Sequence, residues 1–275
     1  GALDVRGLER YPEWLVRHFS TVRRGDRYTR EALDAFVRRL DATGYFASVH
    51  AEIEDDPARA DDATVRVNVI EAPPRRLEAG IGFSTDTRYR GNFLWRDVDF
   101  ARRAIQFTVD ARYETLVQAA SVRFVHPPDA RGWRDSWGAQ AERTDIENLV
   151  TRTALAAVRR QSIDERRMFA FGAAWYLDEQ RPAGGENIDA HALFVDAGWT
   201  RRAVDDIVAP TRGYALQLEA GGGVPGASTR GFGRVIGRFQ AWRPVGRVSS
   251  VTVRAEAGAV LADSREGVPS SLLFR

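Results

Sequence analysis

Two periodicities divide the chain. Up to residue 72 the apolar positions fall at a mixture of strand and helix spacings, and beyond it they alternate almost without a break. Alternation marks a strand with one apolar and one polar face, whereas a helical stripe needs spacings of three and four. In the first region Leu3 and Val5 alternate with polar neighbours and predict a short strand closed by Arg6-Gly7. Pro12 suits the first position of a helix reaching Phe19, with Trp14, Leu15 and Phe19 on one face. A second helix starts from Thr29 as N-cap, carries Leu33, Phe36, Val37 and Leu40 on its apolar face, and stops at Gly44. Tyr45, Phe46, Val49, Ala51 and Ile53 predict a strand, and Val65, Val67 and Val69 another, with an acidic loop from Asp55 to Asp62 between them. The expected order is strand, helix, helix, strand, strand.

Pro73-Pro74 interrupts the chain, since neither residue donates a backbone hydrogen bond, and the domain boundary is placed there. Eleven alternating segments follow: Arg75–Ser84, Thr87–Trp95, Ala104–Glu114, Val117–Val125, Asp135–Thr144, Val150–Arg160, Arg166–Leu177, Ala190–Trp199, Gly213–Gly222, Gly233–Trp242 and Ser250–Leu261. Segments of about ten alternating residues separated by turn residues are the pattern of an antiparallel barrel. Charged or amide side chains recur in mid-segment at Asp110, Arg112, Arg123, Gln140, Glu142, Arg152, Arg238, Gln240, Arg254 and Glu256. They suit a wet lumen in a membrane barrel and equally the solvated outside of a soluble one. Aromatic rings near segment ends, at Trp95, Tyr113, Trp133, Trp175, Trp199, Tyr214 and Trp242, favour the membrane alternative, because such rings prefer the interface.

Composition narrows the chemistry. With 275 residues, 44% of them apolar, the chain affords a sizeable buried surface. All 40 basic residues are arginine and are set against 38 acids, so the net charge of +2 gives no argument for nucleic acid. The absence of cysteine removes thiolate nucleophiles, thiolate zinc sites and disulfides. No run approaches the ~20 apolar residues of a spanning helix. Gly1–Arg10 lacks the tiers of a signal peptide, so either the protein is cytosolic or its export signal lies upstream of this sequence. His18, His50, His126 and His191 fall in different segments, and neither a nucleophile elbow, a zinc helix nor a phosphate loop occurs. No enzyme, metal or cofactor is expected. Gly221-Gly222-Gly223 ends a strand and reads as a turn, and the acidic loop lacks the spacing of a calcium hand.

The first region, with Gly44-Tyr45-Phe46 and then Val49 after its second helix, resembles a POTRA domain. It is followed by Glu71-Ala72-Pro73 and by Leu77-Glu78-Ala79-Gly80-Ile81-Gly82-Phe83-Ser84, which is similar to the first barrel strand of the TamA-type family of outer-membrane assembly proteins. Pro210-Thr211-Arg212-Gly213 resembles a turn motif of that family, and Val268 to Arg275 resembles the approach to its sixth extracellular loop. The resemblance implies residues 1–72 as a periplasmic POTRA-like domain and 73–275 as the N-terminal part of an outer-membrane β-barrel. Further strands and POTRA domains are then expected outside this sequence, because an open edge in hydrocarbon leaves costly unpaired backbone groups.

The same resemblance implies insertion or translocation of client outer-membrane proteins or autotransporters, without cofactor. Leu77, Ala79, Gly80, Ile81, Gly82, Phe83 and Ser84 would form a lateral seam where incoming strands pair, an edge that Gly80 and Gly82 weaken. These glycines equally suit relief of crowding or a bend in the sheet. Tyr45, Phe46, Val49, Val65, Val67 and Val69 are candidates for an edge that meets a TamB-like periplasmic partner, or are plain sheet structure. Arg212 either anchors a carboxylate or is an exposed turn residue. A BamA-like general insertase, a two-partner secretion transporter, a passive porin and a soluble β-rich binding protein remain alternatives.

Overall fold

In the computed structural model the described residues are 3–20, 29–53, 64–85, 88–129, 131–162, 164–246 and 249–273. The acidic loop Asp55–Asp62 lies outside them. The first unit comprises β1 (Leu3–Arg6), α1 (Glu13–Phe19), α2 (Arg30–Asp41), β2 (Phe46–Ile53) and β3 (Val65–Glu71). Its sheet runs in the order β1-β3-β2, with β1 parallel and β2 antiparallel to β3. Leu15, Val16 and Phe19 of α1 and Phe36 and Leu40 of α2 pack on Val65, Val67 and Val69. Burying these side chains contributes about 1.5–3 kcal/mol each before the entropy of ordering them is counted. Thr29 caps α2 as expected, its Oγ1 accepting the Ala32 N–H at 3.2 Å.

Three expectations are corrected in this unit. Pro12 is the N-cap of α1, its ψ of 148° being extended. Trp14 is 44% exposed and Val16 takes the buried place beside Leu15, since the core meets α1 on its 15-16-19 face. Val65, Val67 and Val69 present no edge, because β3 lies between β1 and β2 and has both hydrogen-bonding sides occupied. Tyr45 and Phe46 are buried too, which leaves the outer side of β2 as the available edge on that flank.

The second unit is one antiparallel sheet of eleven strands, paired in chain order. They are β4 (Arg75–Ser84), β5 (Arg88–Phe100), β6 (Ile105–Glu114), β7 (Val117–Val125), β8 (Trp133–Ile146), β9 (Leu149–Ser162), β10 (Arg167–Pro182), β11 (Ile188–Val204), β12 (Gly213–Ser228), β13 (Phe232–Val245) and β14 (Ser249–Leu261). The number agrees with the alternating segments, but β5, β10, β11 and β12 run well past them. Gly221-Gly222-Gly223, expected as a turn, lie inside β12 and pair with Arg234, Gly233 and Phe232, because the ladder needs no side chain. In β10 and β11 Glu179, Arg181, Asp189 and Arg201 interrupt the apolar alternation while the backbone ladder continues.

Register gives the sheet two chemically distinct faces. On β10, Phe169, Phe171, Trp175 and Leu177 stand exposed on one face while Ala170, Ala174 and Asp178 are buried on the other. Cross-strand partners share a face, so the exposed apolar face continues through Trp137, Val158, Val195, Leu218, Val235, Phe239 and Val253. The opposite face carries Asp110, Arg112, Arg123, Gln140, Glu142, Arg238, Gln240, Arg254 and Glu256. Arg152 departs from the expected set: it lies on the outward face opposite Arg143 and Glu179. Of the end-of-strand aromatics, Trp242 faces inward, where it lines a cleft with Gln240 and Arg254.

After β14 the chain turns back over the polar face, and Val268 and Leu272 pack on Ala192 and Phe194 of β11 and Phe232 of β13. The Ser270 N–H also reaches Asp178 Oδ2 on β10 at 2.7 Å. One short segment thus touches three strands across the sheet.

Candidate functional site

Three places combine unusual geometry with the residues singled out in the sequence. The first is β4, the terminal strand of the sheet. Its outward side chains Leu77, Ile81 and Phe83 are exposed, Ile81 at 99%, and its outer backbone edge pairs with no strand among the described residues. Gly80 and Gly82 stand opposite Asn92 and Arg90 on the inward face. A Cβ on Gly80 would lie 2.5 Å from Asn92 Oδ1, and one on Gly82 would lie 2.7 Å from Arg90 Nε. Both glycines therefore make room for side chains leaning across from β5.

The second place is the turn from β11 to β12, which contains Pro210, Thr211, Arg212 and Gly213. The Asp205 carboxylate accepts the N–H groups of Thr211 and Arg212, each at 3.0 Å, and the Thr211 hydroxyl. Led by that hydroxyl, these donors hold the Asp205 carboxyl far below the usual range. Gly213 has a φ of +115°, and a Cβ there would lie 2.1 Å from the Ala203 carbonyl oxygen. No other residue fits without moving the strand. Arg212 contributes its backbone N–H to this knot, while its side chain is exposed and forms no ion pair among the described residues. The motif is a turn built around Asp205, a residue the sequence reading did not single out, although two aspartates just ahead of Pro-Thr-Arg-Gly give the acceptor for its N–H groups.

The third place is the joint between the two units. Tyr45 donates its hydroxyl hydrogen to the Ala104 carbonyl oxygen at 2.7 Å, and Gln106 Nε2 donates to the Thr43 carbonyl oxygen at 2.7 Å. Val98 and Ala104, from the β5–β6 end of the sheet, belong to the core that contains Tyr45, Phe46 and Phe36. Burial pushes the Tyr45 phenol up to about 12. His18 Nδ1 lies 3.1 Å from the Pro128 carbonyl oxygen in the β7–β8 turn. The other histidines are engaged elsewhere: His126 accepts from Trp137 Nε1, His191 meets Thr229, and His50 lies beside Glu52.

The inward polar face also carries ion pairs. Arg159 meets Asp196 at 3.1 Å, and Arg238 bridges Glu219 at 3.4 Å and Glu256 at 3.1 Å. Asp178, 3% exposed, is held by Ser270 alone through one oxygen, while its Oδ1 has no partner among the described residues.

The chain is thus a βααββ domain, the order expected of a POTRA domain, joined through a shared core to a two-faced antiparallel meander, apolar on one face and charged on the other. Comparison with known proteins agrees. Residues 1–72 match the POTRA family model, described as surface antigen variable number repeat. A search of the curated proteins finds no match to this sequence. Among solved structures the chain is similar to BamA from Haemophilus ducreyi lacking POTRA domains 1–3, with a TM-score of 0.67 and 13% identity over 99% of this chain and 57% of that one. It is also similar to CdiB from Escherichia coli, with a TM-score of 0.54 and 15% identity over 98% of this chain and 55% of that one. For CdiB from Acinetobacter baumannii the TM-score is 0.53 and the identity 11%, over 96% of this chain and 52% of that one. At these identities the likeness is one of fold, and the chain spans between half and three-fifths of the structures it matches.

Proposed function

We propose that this chain is the membrane-proximal POTRA domain, residues 1–72, and the leading barrel strands, residues 73–275, of an outer-membrane protein that inserts or translocates other proteins. The TamA-like branch is the reading we favour, on the resemblance of Leu77–Ser84 and Pro210–Gly213. The POTRA unit lies in the periplasm and the exposed apolar face meets lipid. Client outer-membrane proteins or autotransporters pair their strands with β4, gaining main-chain hydrogen bonds while leaving side-chain identity largely unread. No nucleotide or other cofactor takes part, since strand pairing and burial of the client in lipid supply the driving force. A TamB-like partner would dock on the outer edge of β2, through its backbone and the half-buried Val49.

The observation that carries the seam reading is the exposure of β4: a strand end-on to the sheet, apolar towards lipid, with two glycines on its other face. The test places cysteine or a photo-crosslinker at Ala79, Ile81 or Phe83 of the full-length protein in membranes that are assembling clients. Adducts with nascent barrel proteins are expected at these positions and not at Val235 in mid-sheet. Active membranes that yield no β4 adduct would remove the seam. A passive porin would instead conduct constitutively, and a secretion transporter would give client adducts from inward residues such as Arg238.

A further inference from the structure

The outward face of the sheet carries arginines at both of its ends. At the end away from the POTRA unit Arg143, Arg152 and Arg181 each pair with a carboxylate, on Asp145, Glu179 and Asp189. At the POTRA end Arg75 meets Asp97, and Arg160 meets Asp129 and Asp135. Arg243, outward at this end of β13, has no ion pair among the described residues, and neither have Arg167 and Arg201. Arg167 and Arg201 stand directly opposite each other across β10 and β11, and both are exposed. Glu31, Asp34, Asp164, Glu165, Asp205 and Asp206 line the same cleft as Arg167, beside Arg38, Arg39 and Arg166, and none of these carboxylates comes within pairing distance of Arg167. Like charges in directly opposed cross-strand positions repel, and an anion shared between them removes the penalty.

The adjoining cross-strand pair is Phe169 with Trp199, on the same outward face, and beyond it Phe171 pairs with Ala197. Two guanidiniums therefore sit at the rim of the apolar surface with an aromatic pair just inside it. Guanidinium forks match phosphate oxygens bidentately, and aromatic rings favour the level where headgroup gives way to acyl chain.

We propose that Arg167 and Arg201 form a binding site for the phosphodiester headgroup of an anionic glycerophospholipid in the leaflet on the POTRA side. The proposal rests on the reading of the sheet as a membrane barrel. Its asymmetry is part of the argument: outward arginines at the far end carry carboxylate partners, and this opposed pair does not.

The test purifies the full-length protein into nanodiscs holding equal amounts of phosphatidylethanolamine and phosphatidylglycerol, and counts co-retained lipids by native mass spectrometry. Wild type is expected to retain phosphatidylglycerol preferentially. The preference should fall about fivefold for each arginine removed in Arg167→Gln and Arg201→Gln, and be unchanged in Arg152→Gln, whose partner Glu179 already occupies it. Equal retention of phosphatidylglycerol by wild type and the double variant, in a barrel that has inserted and shifts its gel mobility on heating, overturns the lipid site alone. Failure of the wild-type protein to insert overturns the barrel reading together with it.

Discussion

Glu71, at the end of β3, holds the segment that leads into α1. Its side chain is 5% exposed, and its carboxylate accepts the N–H groups of Glu9, Arg10 and Tyr11 and the Arg10 guanidinium at 2.8 Å. Burial alone would raise this carboxyl, but the four donors outweigh it and lower it from 4.5 to about 2. The folded pKa is the depressed one, so the contribution is complete above about pH 4.5 and is lost as pH falls towards 2. Its size is of order 3 kcal/mol. Glu71→Gln should therefore destabilise the first unit by about 2–3 kcal/mol at neutral pH and flatten its acid limb by one proton. Hydrogen exchange at the β3 amides across that pH range reads both effects, and an unchanged acid limb would show that Glu71 is not the titrating group. In the sequence Glu71 stands as an ordinary polar residue before Ala72-Pro73, because its partners lie some sixty positions away. Gly213 was more legible, as the glycine of a recognisable turn, but its necessity came from the Ala203 carbonyl. Gly213→Ala should cost about 2 kcal/mol or more through strain at positive φ, seen as a lower midpoint of heat-modified gel mobility.

At the level of elements, alternation proved sufficient to count the strands and to assign most of their faces, since register follows from period two wherever one face is apolar. It failed at Arg152 and Trp242 for one physical reason: in a sheet that spans a membrane the environment would change from lipid to water near a strand end, where a charged residue can face outward or a tryptophan inward without penalty. It failed also for β3, because three alternating valines describe a buried strand equally well at the edge or in the centre. The glycines of β4 belong to this scale. Asn92 and Arg90 lean into the space above Gly80 and Gly82, and such contacts predict a specific coupling. Gly80→Ala alone should lower the heat-modification midpoint, while in an Asn92→Ala background the same change should be nearly free, a coupling of about 0.5–1 kcal/mol. Rescue would assign the glycine to crowding relief; additive losses would leave the weakened-edge role as the better account of Gly80.

For the molecule as a whole, the sequence places a boundary at Pro73-Pro74, whereas the packing is continuous across it. Tyr45, from the Gly44-Tyr45-Phe46 run that carries the POTRA resemblance, is buried against Tyr11 and Phe46 and bonded to Ala104 beyond β5. Val98 and Ala104 complete the first unit's core from the other side of the prolines. A two-residue break is local and easily read, but a contact spanning 59 positions leaves no periodic trace. The consequence is mechanical. The orientation of the POTRA unit on the sheet rests on a buried hydroxyl, the Gln106 bond to Thr43 and the His18 contact to Pro128, with α2 and the β11–β12 turn flanking an open, charged cleft. Tyr45→Phe keeps the ring packing and leaves the Ala104 carbonyl unsatisfied, at a cost of about 1–2 kcal/mol. Spin labels at Glu31 on α2 and Asp164 in the β9–β10 turn should then report a broader distance distribution in the full-length protein, with β-sheet content unchanged. An equally narrow distribution in the variant would mean that the shared apolar core, and not the hydroxyl, fixes the joint.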